Sequence, residues 1–160
     1  MNRLIFLLAS LALCGAFIFG ATTVLADEGS DDNAQCQSTD DHERGTASDD
    51  TISGRAGDDE IEGNEGDDDL CGDAGDDDIK GGPGNDVMNG GPGNDDLAGQ
   101  AGNDLLIGGK GHDVLRGGRG RDRIRASDGV RDRINCGAGD DTVRADRSDA
   151  VASNCEHVSR

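Results

Sequence analysis

GGPGNDVMN (Gly81–Asn89) is followed at once by GGPGNDDLA (Gly90–Ala98), and this near-repetition decides the fold. In the same register GRAGDDEIE, GNEGDDDLC and GDAGDDDIK come before it, and GQAGNDLLI, GGKGHDVLR and GGRGRDRIR come after it. The result is eight uninterrupted nonapeptides from Gly54 to Arg125. Positions one and four are always glycine. Position six is always aspartate: Asp59, Asp68, Asp77, Asp86, Asp95, Asp104, Asp113 and Asp122. Position eight is always a large apolar residue: Ile61, Leu70, Ile79, Met88, Leu97, Leu106, Leu115 and Ile124. Four fixed columns at one period dictate a repetitive architecture.

Glycine permits positive φ and close backbone approach. Two glycines in nine residues force a tight turn, which Pro83 and Pro92 also fit. The three residues centred on the apolar position make a very short strand, with the middle side chain inward and its neighbours outward. The unit reads turn, strand, turn, strand. Stacked coils then bury two apolar columns, one from odd copies and one from even copies. One buried side chain per nine residues offsets too little of the backbone entropy, and crowded carboxylates oppose folding further. Regularly spaced carboxylates beside glycine-freed carbonyls are hard oxygen ligands, which suit Ca²⁺.

The columns resemble the repeat-in-toxin (RTX, hemolysin-type) nonapeptide G-G-x-G-x-D-x-U-x. The resemblance covers residues 54–125, with weaker copies on each side. It implies an all-β fold, a parallel β-roll (β-solenoid). In that family the first six residues of a copy form a calcium-binding turn and the last three a strand, and calcium lies between the turns of copies n and n+2. Carried over, the metal residues are the eight column aspartates. They pair as Asp59 with Asp77, Asp68 with Asp86, Asp77 with Asp95, Asp86 with Asp104, Asp95 with Asp113, and Asp104 with Asp122. The resemblance thereby implies about six Ca²⁺ ions.

Some copies depart from the motif. The second glycine is present only at Gly82, Gly91, Gly109 and Gly118; Arg55, Asn64, Asp73 and Gln100 stand elsewhere, and strained turns are expected there. Position five is Asp or Asn in six copies but His112 and Arg121 in the last two, which puts the ion site nearest Arg121 in question. GTASDDTIS (Gly45–Ser53) is a degenerate copy. ASDGVRDRIN carries one inserted residue but keeps Asp132 and Ile134, and CGAGDDTVR returns to register with Asp141 and Val143. The tail ADRSDAVASNCEHVSR resembles the ends of exported actinobacterial-type calcium-binding repeat proteins. It is expected to cap the last coil, where an open sheet edge would otherwise be exposed.

The expected divisions are a signal peptide at 1–26, an acidic flexible segment at 27–44, the calcium-binding roll at 45–125, and degenerate repeats with a C-terminal cap at 126–160. Arg3, the apolar run Leu4–Leu25 and the small residues at its end carry the signal-peptide reading. An uncleaved membrane anchor is its rival. The remaining Cys36, Cys71, Cys136 and Cys155 are an even number, which in an exported chain suggests two disulfides. Of three pairings, Cys136–Cys155 and Cys36–Cys71 are preferred because each closes a loop at one end of the array. Charge is uneven: residues 27–113 hold 26 acidic and four basic residues, whereas residues 114–160 hold eight acidic and ten basic.

Other chemistries lack residues. No stretch satisfies an EF-hand loop, since Cys71 and Lys80 fall where the pattern starting at Asp67 or Asp76 needs an oxygen ligand. No G-x-G-x-x-G occurs. RGGRGRDRIR (Arg116–Arg125) has the look of an RNA-binding tract, but outward arginines that offset an acidic roll explain it, so no nucleic-acid partner is expected. His42, His112 and His157 are isolated, and no catalytic residue is found. The sequence therefore reads as an exported, extracellular bacterial calcium-binding protein, monomeric and not an enzyme. The alternative is a calcium-rigidified adhesion or surface-recognition module for a cell-surface or cell-wall polymer. Ice is excluded as that surface, because the outward column Glu60, Asp78, Asp96, Val114 contains no Thr. Val87, Leu105 and Ile107 are expected to form a small outward apolar patch.

Overall fold

Alternation within each short strand, repeated every nine residues, sends successive strands to opposite sides of a flattened coil. The structure, a computed structural model, describes residues 41–160. The signal-peptide reading, the membrane-anchor alternative and Cys36 fall outside the described residues, among which no helix is long and apolar enough to cross a membrane. The first strands are β1 (His42–Arg44), β2 (Thr51–Ser53), β3 (Glu60–Glu62), β4 (Asp69–Cys71), β5 (Asp78–Pro83), β6 (Val87–Pro92) and β7 (Asp96–Ala101). They continue as β8 (Leu105–Lys110), β9 (Val114–Arg119), β10 (Arg123–Ala126), β11 (Arg133–Ala138), β12 (Thr142–Ala145), β13 (Ala150–Val151) and β14 (His157–Ser159). Odd strands form one seven-stranded sheet, here sheet A, and even strands form the other, sheet B. All pairing is parallel, between strands one coil apart. The chain is a parallel β-solenoid of about seven coils.

The two expected apolar columns form the core. In sheet A, Ile61, Ile79, Leu97, Leu115 and Ile134 stack in register. In sheet B, Ile52, Leu70, Met88, Leu106, Ile124 and Val143 do the same. All are buried. The roll starts ahead of residue 45: β1 pairs with β3 and places Glu43 over Ile61, at the head of the sheet A column. Its glycine-poor sequence hid this coil, because Asp41 echoes the repeat but Glu43 stands at the apolar position. Strands β5 to β9 are six residues long, not three, because pairing runs on through positions one to three, as at Gly82↔Gln100↔Gly118.

The glycine columns serve two needs. At position four a side chain would strike the coil before it: a methyl group built on Gly102 would overlap the Gly84 carbonyl oxygen. Coils at β-sheet spacing leave no room there. At position two the backbone turns left-handed in every copy, with φ of 121° at Gly82 and 112° at Gly91. The four substituted positions keep that turn, with φ of 82° at Arg55, 77° at Asn64, 72° at Asp73 and 74° at Gln100. Strain expected from the sequence therefore lies where a side chain replaces the second glycine.

The C-terminal end is closed covalently. Cys136 and Cys155 are disulfide-bonded with Cα atoms 5.2 Å apart, the pairing preferred from the sequence. Cys71 is also disulfide-bonded and is buried, although it occupies an outward strand position; the Cys36 half of that expected pairing lies outside the described residues.

Two outcomes follow. Gln100→Gly should raise the thermal midpoint of the folded roll, by about 1 kcal/mol of stability, whereas Gly102→Ala should lower it far more; a Gln100→Gly variant less stable than the parent would show that the turn carries no strain. Reducing Cys136–Cys155, a bridge spanning 19 residues, removes a constraint worth roughly 3 kcal/mol. Amide exchange should then accelerate at Val151 and Val158 while β5 to β9 stay protected; uniform acceleration along the roll would contradict this.

Candidate metal centre

The position-six aspartates end each turn and point into the roll. All eight expected residues, Asp59, Asp68, Asp77, Asp86, Asp95, Asp104, Asp113 and Asp122, are 3% exposed or less. Each Oδ1 accepts the backbone N–H of the aspartate one coil earlier. Asp59 N donates to Asp77 Oδ1 at 2.9 Å, and Asp68, Asp77, Asp86, Asp95 and Asp104 donate to Asp86, Asp95, Asp104, Asp113 and Asp122 at 3.0 Å. The fold thus brings together all six expected pairs. The inserted residue stretches the step without breaking the column: Asp113 N reaches Asp132 Oδ1 at 2.9 Å and Asp122 N reaches Asp141 Oδ1 at 2.8 Å.

The second oxygen has a different environment. Oδ2 of every column aspartate from Asp68 to Asp122, and of Asp132 and Asp141, is buried without a hydrogen-bond partner. A buried ionised oxygen left in that state is costly. Beside each from Asp68 to Asp122 lies a space that glycine keeps clear. A methyl group built on Gly63 would overlap Asp68 Oδ2 and lie 2.6 Å from the Gly81 carbonyl oxygen. One built on Gly99 would overlap Asp104 Oδ2 and lie 2.6 Å from the Gly117 carbonyl oxygen. A carboxylate oxygen and a carbonyl oxygen from the next coil therefore converge on the same small volume. That is a donor set for a hard cation that takes many oxygens at flexible distances. Toward the C-terminus this position carries buried side chains instead, at Ala126, Cys136 and Ala145.

Electrostatics agree. Burial, foremost, pushes the Asp95 and Asp104 carboxyls up to about 7 and those of Asp86 and Asp132 to about 6. Donated backbone N–H groups pull the other way, and neighbouring aspartates raise the values further. Asp68, Asp77, Asp113 and Asp122 are raised as well, again chiefly by burial. Near neutral pH the column needs either protons or a cation.

Sequence reading missed three features. Position five forms a second ladder, exposed and running in the opposite sense: Asn85 N donates to Asp67 Oδ1 at 2.7 Å, Asn94 N to Asp76 Oδ1 at 2.7 Å, and Asn103 N to Asn85 Oδ1 at 3.0 Å. Its signal was the Asp/Asn preference at that position. His112 and Arg121 end this ladder as donors to Asn94 and Asn103, at 3.0 and 2.9 Å, so they need no acceptor of their own. The six-column also continues into the cap, where Asp149 Oδ1 and Glu156 Oε2 accept from Asp132 N and Asp141 N at 3.1 and 3.0 Å; irregular spacing hid both. At the other end, Asp41, Glu43 and Asp59 bring carboxylate oxygens within 4.8 Å of one another. Glu43 there is raised to about 7, first by burial and then by Asp59 and Asp41.

A model of the RTX calcium-binding nonapeptide repeat matches residues 44–79, 72–106 and 98–130. The chain belongs to the RTX repeat family. No curated protein and no solved structure matches it. Calcium binding and the β-roll are the properties that RTX repeats bring, and the orphaned oxygens and glycine-cleared spaces of this chain fit that ion.

The raised carboxyls fix a pH dependence. Their folded values exceed the ordinary 3.8, so between about pH 4 and pH 7 the folded chain holds more protons than the unfolded one. In chelator, stability should be greatest below pH 4 and fall as pH rises through 6 to 7. With calcium present the trend reverses, because bound carboxylates must be deprotonated. The β signal in circular dichroism, measured in chelator at pH 4.5 and pH 8, checks the sign: it should be stronger at pH 4.5. A stronger signal at pH 8 would contradict it, and Asp95→Asn should flatten the dependence.

Proposed function

We propose that this chain is an exported, non-enzymatic calcium-binding β-roll whose folding is driven by the ion. Asp59, Asp68, Asp77, Asp86, Asp95, Asp104, Asp113 and Asp122 would hold about six Ca²⁺ ions between copies n and n+2, with carbonyl oxygens of position-one glycines as further ligands. The observation that carries this reading is the column of buried Oδ2 atoms without donors from Asp68 to Asp122, each beside a glycine-cleared space. At a net charge of −19 the calcium-free chain repels itself, and the thin core offsets little of that. The cation would neutralise the column and supply the missing folding free energy, as metals do where the unfolded chain offers no ready-made site. The N-terminal Arg3 and the apolar run after it support export, and millimolar extracellular calcium would make folding wait until the chain has left the cell. The chain would act as a monomer outside a bacterial cell. The second reading, recognition of a surface polymer, draws on the outward face of sheet B, where Val87 is 38% exposed and Leu105 and Ile107 are half-buried.

A circular dichroism titration tests the calcium reading. At pH 7.5 in chelator the chain should be largely unstructured. Ca²⁺ should restore the β signal with a midpoint on the order of 10⁻⁴–10⁻³ M, and Mg²⁺, which demands tight octahedral geometry, should substitute poorly. Asp95→Asn, in two of the proposed pairs, should shift the calcium midpoint several-fold more than Asp59→Asn, in one. A β signal indifferent to chelator would refute the reading.

A further inference from the structure

The outward charges of the two sheets are handled differently. On sheet A, Arg133 apart, they are matched across strands. Lys80 Nζ lies 2.8 Å from Glu60 Oε1, 3.6 Å from Asp78 Oδ2 and 3.8 Å from Glu62 Oε1, and Arg116 pairs with Asp96. On sheet B they are not. Arg123, Arg125 and Arg144 are exposed. Arg125 and Arg144 are direct neighbours in adjacent strands, and Arg123 lies two residues from Arg125 on the same face. No carboxylate among the described residues forms an ion pair with any of the three. Like charges placed directly opposite destabilise a sheet, so the Arg125–Arg144 pair opposes folding locally even where the three arginines offset the acidity of the roll as a whole.

The same face supplies the rest of a surface. Register sets Val87 beside Leu105 and Leu105 beside Arg123 in one outward column, and Asn89 beside Ile107 and Ile107 beside Arg125 in the other. A shelf of three aliphatic side chains thus leads directly into three arginines. We infer that the outward face of β6, β8, β10 and β12 binds a linear acidic glycan, its sugar rings on Val87, Leu105 and Ile107 and its carboxylates on Arg123, Arg125 and Arg144. Guanidinium forks match carboxylates two bonds at a time. Strands rise across the sheet by about 4.8 Å, close to the length of one pyranose ring, so successive sugars can meet successive strands. Nucleic acid fits less well, because the described residues contain no Phe, Tyr or Trp on which a base could stack, and no His lies on the strands of this face. The inference narrows the surface-recognition reading to one face and one ligand chemistry.

The test uses the full chain loaded with calcium, and short oligogalacturonates as the probe, followed by calorimetry at two salt concentrations. Binding is expected, weakening several-fold from 50 to 200 mM salt. Arg123→Ser/Arg125→Ser/Arg144→Ser should reduce affinity at least tenfold, and Val87→Ser/Leu105→Ser should reduce it severalfold. Arg116→Ser/Arg133→Ser, on sheet A, should leave it unchanged. Neutral dextran oligomers should not bind. Equal binding by the sheet B triple variant would overturn the inference, since calcium bridging between glycan and acidic turns would then explain it. So would tighter binding of a DNA duplex of equal charge, or no binding at all. Circular dichroism on the same samples separates this result from the calcium reading: a roll that folds with calcium but ignores the glycan overturns the glycan inference alone.

Discussion

The constraint on which this roll depends is the stacking of one carboxylate upon the next. Parallel coils repeat the same chemistry at strand spacing, so an aspartate at one position becomes a buried row of aspartates. Half of each carboxylate is satisfied internally, because Oδ1 takes a backbone N–H from the coil before it. The other half faces a glycine-cleared gap with no donor. Both glycine columns and the thin core follow from this. The gap needs glycine, the close approach of coils needs glycine, and a protein so rich in glycine has few side chains left to bury.

The two ends of the array handle that constraint differently. Through the acidic copies the gap is open and the backbone is set for a cation. From Ala126 onward, position one carries Ala or Cys, a disulfide joins Cys136 to Cys155, and the strands β11 to β14 carry no carboxylate. The charge asymmetry along the chain is therefore a change in how coils are held together, within one continuous solenoid. Asp132 and Asp141 keep the column's backbone bonding there, as Asp149 and Glu156 do beyond them. The aspartate column and the glycine-cleared gaps come apart at that point.

Much of this was legible because period nine is short and strictly kept. Alternation around Ile61 or Leu97 gave the strands, the glycines gave the turns, and the odd/even split gave two sheets. The substituted second glycines were read correctly as strained, since left-handed backbone is a property of position and not of residue. The fifth-position ladder was not legible, because Asp and Asn at an exposed turn have many ordinary uses. The first coil was missed because Glu43 stands where an apolar residue was required, and the continuation into Asp149 and Glu156 was missed because steps of 17 and 15 residues break the period. Periodicity reveals what repeats, and the ends of a solenoid are where it does not.

The pairing rule has an evolutionary consequence. Neighbours within a sheet are eighteen residues apart, although the motif is nine long. Gaining or losing eighteen residues changes only the length of the roll, and every outward residue keeps its sheet. Gaining or losing nine preserves each motif, turn and buried aspartate, yet moves everything downstream to the opposite side. One such event between Ile107 and Arg123 would carry Arg123, Arg125 and Arg144 onto the other face, away from Val87, Leu105 and Ile107. The roll can drift freely in length by whole coils, but a change of a single copy reassembles its surface while leaving its interior untouched.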